Sequence, residues 1–247
     1  MTAGLTLVDG AREVRRALDA GVVVVEAFVC EPMLAGPDAR AALDAIRDRR
    51  IPVRLTTPAA FSRIAFGDRA EGIVAVVRPP AWRLDELVLP EDPLVIVVEG
   101  AEKPGNLGAV LRSADGAGAD ALFAASGVTD LANPNVIRAS AGTVFAMPLA
   151  AAPTSEVIDW LRAREIRIVA AWVDADELYT DVDLTGPLAL AVGSEARGLT
   201  EAWAAPGIER VRLPMHGVAD SLNVSVSAAV LLYEARRQRD RQPDGPH

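Results

Sequence analysis

From residue 94 onward the chain repeatedly sets a short run of purely apolar residues beside a segment with helical spacing, and few folds accept that pattern. Residues 94–98 (LVIVV), 121–125 (ALFAA) and 188–192 (LALAV) contain no polar side chain. A strand with one wet face alternates polar and apolar residues, whereas a strand without alternation is covered on both faces. Further strands are expected at 145–149, 167–173 and 210–213. Helices are expected from Leu107, over 134–142 and 156–164, in a short piece from Thr200, and over 222–239. The pattern predicts an α/β domain on a parallel sheet with helices on both sides. In such sheets ligands bind beyond the carboxyl ends of the strands.

The first third of the chain alternates on a smaller scale. Val14, Ala17 and Leu18 give 11–20 a helical stripe that ends at Gly21. A strand is expected over 22–29, a second helix over 37–49, and short strands over 53–55 and 73–77. Pro79, Pro80, Pro90 and Pro93 then interrupt an acidic stretch with little periodicity, which marks a linker. The expected organisation is a small α/β domain over 1–78, a linker over 79–93 and the larger domain over 94–247.

Composition removes several classes of function. Cys30 is the only cysteine, and His216 and His247 are the only histidines, so a disulfide within the chain, a cysteine cluster and a multi-histidine zinc site are all excluded. No metal is expected. Arg12, Arg15 and Arg16 fall where a signal peptide needs an apolar core, and no apolar run approaches the ~20 residues of a membrane span. The expectation is a cytoplasmic protein with no membrane partner and a frayed tail, QPDGPH. The net charge of −9 argues against a broad nucleic-acid surface. It is unevenly spread, however. Residues 1–78 hold 11 arginines and 10 acids, while the remaining 14 basic residues face 24 acids, so any RNA contact favours the first segment.

Three segments place glycines and polar side chains at the mouths of strands or the starts of helices. In 106–118 (NLGAVLRSADGAG) Asn106 is positioned to cap a helix whose Leu107, Val110, Leu111 and Ala114 face the sheet, with Arg112 on the same helix. Alone, this describes a capped amphipathic helix with a solvated arginine as well as it describes a ligand site. A phosphate-binding P-loop is excluded because no Gly-Lys-Ser/Thr ends the loop, and the GxGxxG fingerprint is absent. In 193–199 (GSEARGL) Gly193 and Gly198 bracket Ser194, Glu195 and Arg197, which suits ligand recognition or a surface Glu195–Arg197 ion pair. In 213–227 (LPMHGVADSLNVSVS) Pro214 and Gly217 shape a loop, Ser221 is positioned to cap the last helix, and Asn223 offers donor and acceptor groups in its first turn. A fourth stretch, 133–142 (NPNVIRASAG), carries Arg138 and Ser140 among small residues, and reads either as a polar lining or as close helix packing.

The order NLGxxxR, GSExxGL, LPMxGxxxSLNVSVS, each after a strand, resembles the three signature motifs of the SpoU (TrmH-type) family of S-adenosylmethionine-dependent RNA ribose 2′-O-methyltransferases. The resemblance covers residues 94–239. It implies that the C-terminal α/β domain is tied in a deep trefoil knot of the SPOUT type. It also implies that Val192, Gly193, Leu213, Met215 and Leu222 hold S-adenosylmethionine, largely through backbone groups. The family assigns activation of the ribose hydroxyl to Arg112, with Asn106, Glu195, Ser221 and Asn223 orienting ribose, arginine and cofactor. A guanidinium is an awkward base, so a second reading has Arg112 clamp a phosphate and stabilise the developing alkoxide. The 133–142 stretch is similar to one lining the RNA side of the cleft, which makes Arg138 and Ser140 candidate RNA contacts. The first domain resembles the small L30e-like α/β domain that precedes the catalytic one in many members, and its Arg12 and Arg16 are further candidates. It departs from relatives in having Ala70-Glu71-Gly72 where Pro-Gln-Gly is common. The implied partners are RNA, ribosomal before transfer, and a second copy of the chain through the C-terminal domain.

Overall fold

The computed structural model describes residues 4–66, 71–127 and 129–241, so Ala70, His247 and the tail from Gln242 lie outside it. The described residues form two compact units: Met1–Ala81 with Asp130–Ala146, and Trp82–Thr129 with Met147–His247.

The first unit contains β1 (Thr6–Asp9), α1 (Ala11–Asp19), β2 (Val23–Val29), α2 (Gly36–Asp48), β3 (Val53–Leu55), α3 (Pro58–Phe61) and β4 (Ile73–Arg78). Its sheet runs β1-β4-β2-β3, with β4 antiparallel to both neighbours and β2 parallel to β3. Val14, Ala17 and Leu18 are buried, as the helical stripe predicted. The segment Asp130–Ala146 adds α5 (Pro134–Ala139) and a 3-10 turn, Thr143–Phe145. Hydrogen bonds and close packing fasten it within this unit. Thr6 donates to the Ala132 carbonyl at 2.6 Å, Arg16 to the Ala141 carbonyl at 2.8 Å, and Arg138 to Asp9 at 2.9 Å. Gly142, in the left-handed region at φ 81, comes so close to α1 that a Cβ there would press on Glu13 and Arg16. The acid in the departing tripeptide has a local reason: Glu71 accepts from the Ala11 N–H at 2.9 Å, satisfying one free donor at the start of α1.

The second unit contains β5 (Leu94–Glu99), α4 (Pro104–Gly116), β6 (Ala121–Ala125), β7 (Leu149–Ala152), α6 (Thr154–Arg162), β8 (Arg167–Ala171), β9 (Glu177–Leu178), β10 (Leu188–Val192), β11 (Ile208–Arg212) and α7 (Val224–Arg239). The sheet is parallel throughout, in the order β7-β6-β5-β10-β8-β11-β9. Every residue of β5, β6 and β10 is buried. Val95, Val97, Ala121, Phe123, Ala189 and Ala191 pack with Val157, Ile158 and Leu161 of α6 and with Trp203. Their alternating neighbours point to the other face, where α4 and α7 lie against each other and α7 touches β10.

Several boundaries depart from the sequence expectation. The strand expected at 145–149 begins instead at Leu149, because Val144 and Phe145 are buried in the 3-10 turn after Gly142 and Pro148 cannot donate to a ladder. The helix expected from Leu107 starts at Pro104, whose missing N–H costs nothing at a first helical position. Asn106 therefore lies inside the first turn and is not the cap. The last helix begins at Val224, and its cap is Asn223 rather than Ser221, with the Asn223 oxygen accepting from the Ser225 N–H at 2.9 Å. Of the expected linker, Leu84, Leu87 and Leu89 pack against the core of the second unit.

Candidate active site

The parallel strands deliver their polar segments to one end of the sheet. After β10 the chain turns back so tightly that the backbone of Gly198 and Leu199 lies directly on the Cα of Gly193, where a Cβ would overlap it. Leu213–Asn223 crosses the same end without regular structure, so its backbone groups are not committed to a helix or sheet ladder. Between these segments lies a cavity of about 480 Å³. Val192, Gly193, Leu213, Met215 and Leu222 all line it, together with Ser221 and Glu195. Its size falls in the range of small-molecule sites. An apolar floor with a polar rim and close-approaching backbone suits a ligand with a flat apolar base and charged ends, as S-adenosylmethionine has.

A smaller cavity of about 180 Å³, lined by Lys103, Asn106 and Ala101, shares Ser194, Glu195 and Val224 with the first. At this junction the three sequence motifs meet. Asn223 holds its side-chain oxygen toward its own helix, accepting from the Ser225 N–H and from the Ser225 hydroxyl at 2.6 Å. That orientation turns its amide nitrogen outward, where it donates to the Glu195 carboxylate and, at 3.3 Å, to Asn106 Oδ1. The other Glu195 oxygen accepts from Lys103 Nζ at 3.0 Å. The ammonium of Lys103 holds the Glu195 carboxyl below its ordinary range, with Asn106 and Asn223 acting in the same direction. The Glu195–Arg197 ion pair allowed by the sequence is not made. Glu195 pairs instead with Lys103, the only lysine of the chain.

Arg112 is exposed on α4 and makes no ion pair or side-chain hydrogen bond among the described residues. It lies about 9 Å along the helix from Asn106 and about 120° round it. It therefore does not join Asn106 on the face that meets Asn223. Of the candidate RNA contacts, Arg12 is exposed, while Arg16 and Arg138 spend donors on the first unit's own structure. Ser140 is fully buried and donates to the Ile137 carbonyl at 2.8 Å, so its hydroxyl closes a turn instead of facing a ligand.

Sequence reasoning missed Lys103 and several residues lining the larger cavity, among them Trp172, Arg212 and Asp220. Trp172 stands just past the end of β8, and the strand-end rule that located the motifs could have found it. Nothing local marks Lys103 except its rarity in an arginine-rich chain.

Residues 93–233 match the SpoU rRNA Methylase family. The chain belongs to it. Residues 7–82 match the RNA 2′-O ribose methyltransferase substrate binding family. The 23S rRNA (uridine(2479)-2′-O)-methyltransferase of Streptomyces viridochromogenes is 39% identical over 173 residues, spanning 68% of this chain and 60% of that enzyme. The 23S rRNA (guanosine-2′-O-)-methyltransferase RlmB of Pseudomonas aeruginosa is 34% identical over 211 residues, spanning 78% of this chain and 85% of that protein. Among solved structures, the SpoU methyltransferase AviRb of Streptomyces viridochromogenes in complex with the cofactor AdoMet superposes with a TM-score of 0.84 at 33% identity, covering 96% of this chain and 91% of that one.

Proposed function

We propose that this SpoU protein transfers a methyl group to a ribose 2′-hydroxyl of 23S ribosomal RNA, with S-adenosylmethionine as the donor. The observation that carries the reading is the junction of Glu195, Asn223 and Asn106 at the rim of the 480 Å³ cavity, in a chain that matches the SpoU family.

Bound S-adenosylmethionine supplies an electrophilic methyl group on a sulfonium. Val192, Gly193, Leu213, Met215 and Leu222, which line the cavity, would hold it. Glu195, kept ionised beside Lys103, fixes the amide of Asn223, and Asn106 accepts from the same amide, so these side chains present one arrangement to the ribose. Ser221 lines the same cavity and adds a hydroxyl. A rigid rim of this kind works by positioning, which supplies much of the rate in a transfer between two bound reactants. Arg112 clamps the adjacent phosphate and stabilises charge growing on the 2′-oxygen. A guanidinium is an awkward base, so the hydroxyl proton leaves to a phosphate oxygen or water.

Residues 1–78 serve as the RNA-binding domain, 79–93 as the connection, and 94–247 as the knotted catalytic domain. Arg12 contacts RNA directly, while Arg16, Arg138 and the buried Ser140 hold together the unit that presents it. The protein works in the cytoplasm as a homodimer, in keeping with the SpoU resemblance. Supporting this, α7 exposes Val226 and Tyr233 beside α4, and the exposed Arg112 is free to reach a partner's site. Among the described residues no helix is long and apolar enough to cross a membrane, and no group of three metal-binding side chains occurs.

The test is transfer of labelled methyl from S-adenosylmethionine to purified, unmodified 23S rRNA and tRNA, followed by mapping of the alkali-resistant ribose. Label on a 23S ribose is expected. Label confined to tRNA would overturn the substrate, and RNA binding without transfer would leave a non-catalytic RNA-binding protein.

A further inference from the structure

Glu99 ends β5 and is buried, 3% exposed. Its carboxylate is held by neutral donors. Oε1 accepts from the hydroxyls of Thr154 at 2.6 Å and Thr200 at 3.0 Å, and Oε2 from the Thr200 N–H at 2.7 Å. A carboxylate removed from water is costly unless its lone pairs are met. Here two helical starts converge on it, since Thr154 opens α6 and Thr200 precedes the 3-10 turn Glu201–Ala204. The N-terminal end of α6, a helix of nine residues, favours negative charge.

What the carboxylate fastens is informative. Thr200 closes the segment that runs from Gly193 through Ser194, Glu195, Arg197 and Gly198, all of which line the larger cavity. The front of that segment is fixed where Gly193 meets the backbone of Gly198 and Leu199. Its rear is fixed at Thr200, and the hold there comes from the neighbouring strand.

We propose that Glu99 is a positioning residue for the cofactor, gripping the rear of the Gly193–Thr200 segment so that its backbone and Glu195 are set before the ligand arrives. This rests on reading the 480 Å³ cavity as the S-adenosylmethionine site. A segment ordered beforehand loses less entropy on binding, and affinity rises accordingly. Thr154 shares the carboxylate but belongs to α6, away from the cavity wall, and so provides an internal control.

Calorimetry with S-adenosylmethionine on the full chain, with melting temperatures, tests this on Thr200→Val, Thr154→Val and Glu99→Gln. Each valine keeps shape and removes one hydroxyl donor. Thr200→Val is expected to weaken cofactor binding by about 3- to 10-fold, and kcat at saturating cofactor should stay near wild type. Thr154→Val should lower the melting temperature while leaving the dissociation constant within about twofold of wild type. Glu99→Gln, which turns a donor toward Thr200, should weaken binding more than either, and if it does not fold the valine pair still decides. Unchanged affinity in Thr200→Val, or equal losses in both valine variants, would overturn the proposal by reducing Glu99 to a packing residue. Wild-type protein that bound no S-adenosylmethionine would instead overturn the reading of the cavity, and this inference with it.

Discussion

Two arginines stand a turn or more past an asparagine, Arg112 on α4 and Arg138 on α5, and their surroundings are opposite. Arg138 donates to Asp9, whose side chain is fully buried, and to the Phe66 carbonyl at 2.6 Å. Arg112 is exposed and spends no donor on the protein among the described residues. A guanidinium offers five donors and a permanent charge. Where the fold has consumed them it is a strut, and where it has left them free it is available to a phosphate. Side-chain type and spacing do not separate the two cases; the presence of a buried carboxylate opposite one of them does.

The largest effect expected from this contrast is on transfer. Arg112→Ala should lower kcat by at least about 100-fold, the scale set by removing one charge-stabilising donor, with S-adenosylmethionine affinity kept within a few-fold. Single-turnover transfer and calorimetry check the two halves. Arg112→Lys separates the mechanisms: weak activity without a steep rise at high pH fits a clamp, whereas a rate climbing as the ammonium deprotonates, near its ordinary ~10.4, fits a base. Full activity in Arg112→Ala would return this arginine to a solvated helix face.

Arg138→Met should act on stability instead. It leaves Asp9 buried without its cation, and losses for broken buried pairs reach about 3 kcal/mol or more. Arg138 keeps some exposure, so the lower end is expected. Chemical denaturation should show it, while kcat at saturating RNA, below the melting transition, should stay near wild type. A large fall in kcat with unchanged stability would mean that Arg138 touches RNA after all, and the contrast with Arg112 would break.

The second unit was legible because its pattern is local. Unbroken apolar strands announced the parallel sheet, and the segments at their ends carried the cavity-lining residues. Caps were misplaced because an asparagine or serine near a helix start is ambiguous by a turn. Asn106 and Ser221 are good caps, yet Lys103 and Asn223 hold the cap positions. The 133–142 stretch was not legible in full, because its role depends on Asp9 and Ala11–Asp19, more than 100 residues earlier. Glu99 and Lys103 escaped for the same reason: their partners, Thr200 and Glu195, are distant in sequence and supplied by another loop.

Asp9 sharpens the comparison through pH. Burial raises its pKa above the ordinary carboxylate value, against the opposing pull of the Phe66 N–H and Arg138. A raised folded pKa means that the folded state keeps the proton longer than the unfolded chain. The resulting stability is present in full below the unfolded value, near 3.8, and is lost as pH rises through the folded value. Asp9→Asn should flatten that part of the stability curve, measured by urea denaturation at about pH 3 to 7. Glu195 carries the opposite sign, since Lys103 lowers it, and Lys103→Met should leave the Asp9 slope untouched.

The smallest expected effect belongs to Arg12, which lies between the two extremes. Its side chain is 56% exposed, and among the described residues its one ionic contact is to the adjacent Glu13 at 3.6 Å, which leaves most of its donors to solvent. Glu13 is buried, but with the arginine in water and the contact at 3.6 Å the pair contributes about 1 kcal/mol at most to folding. Arg12→Ala should therefore lower the melting temperature only slightly and weaken RNA binding only a few-fold. The informative measurement is the salt dependence, because a cation that no longer neutralises a phosphate reduces the slope of log K against log salt by about 0.7 to 0.9. A slope reduced by one such step places Arg12 with Arg112 among the arginines left for RNA. An unchanged slope places it with Arg138, in a first unit whose arginines serve the fold, and moves RNA recognition elsewhere on the chain.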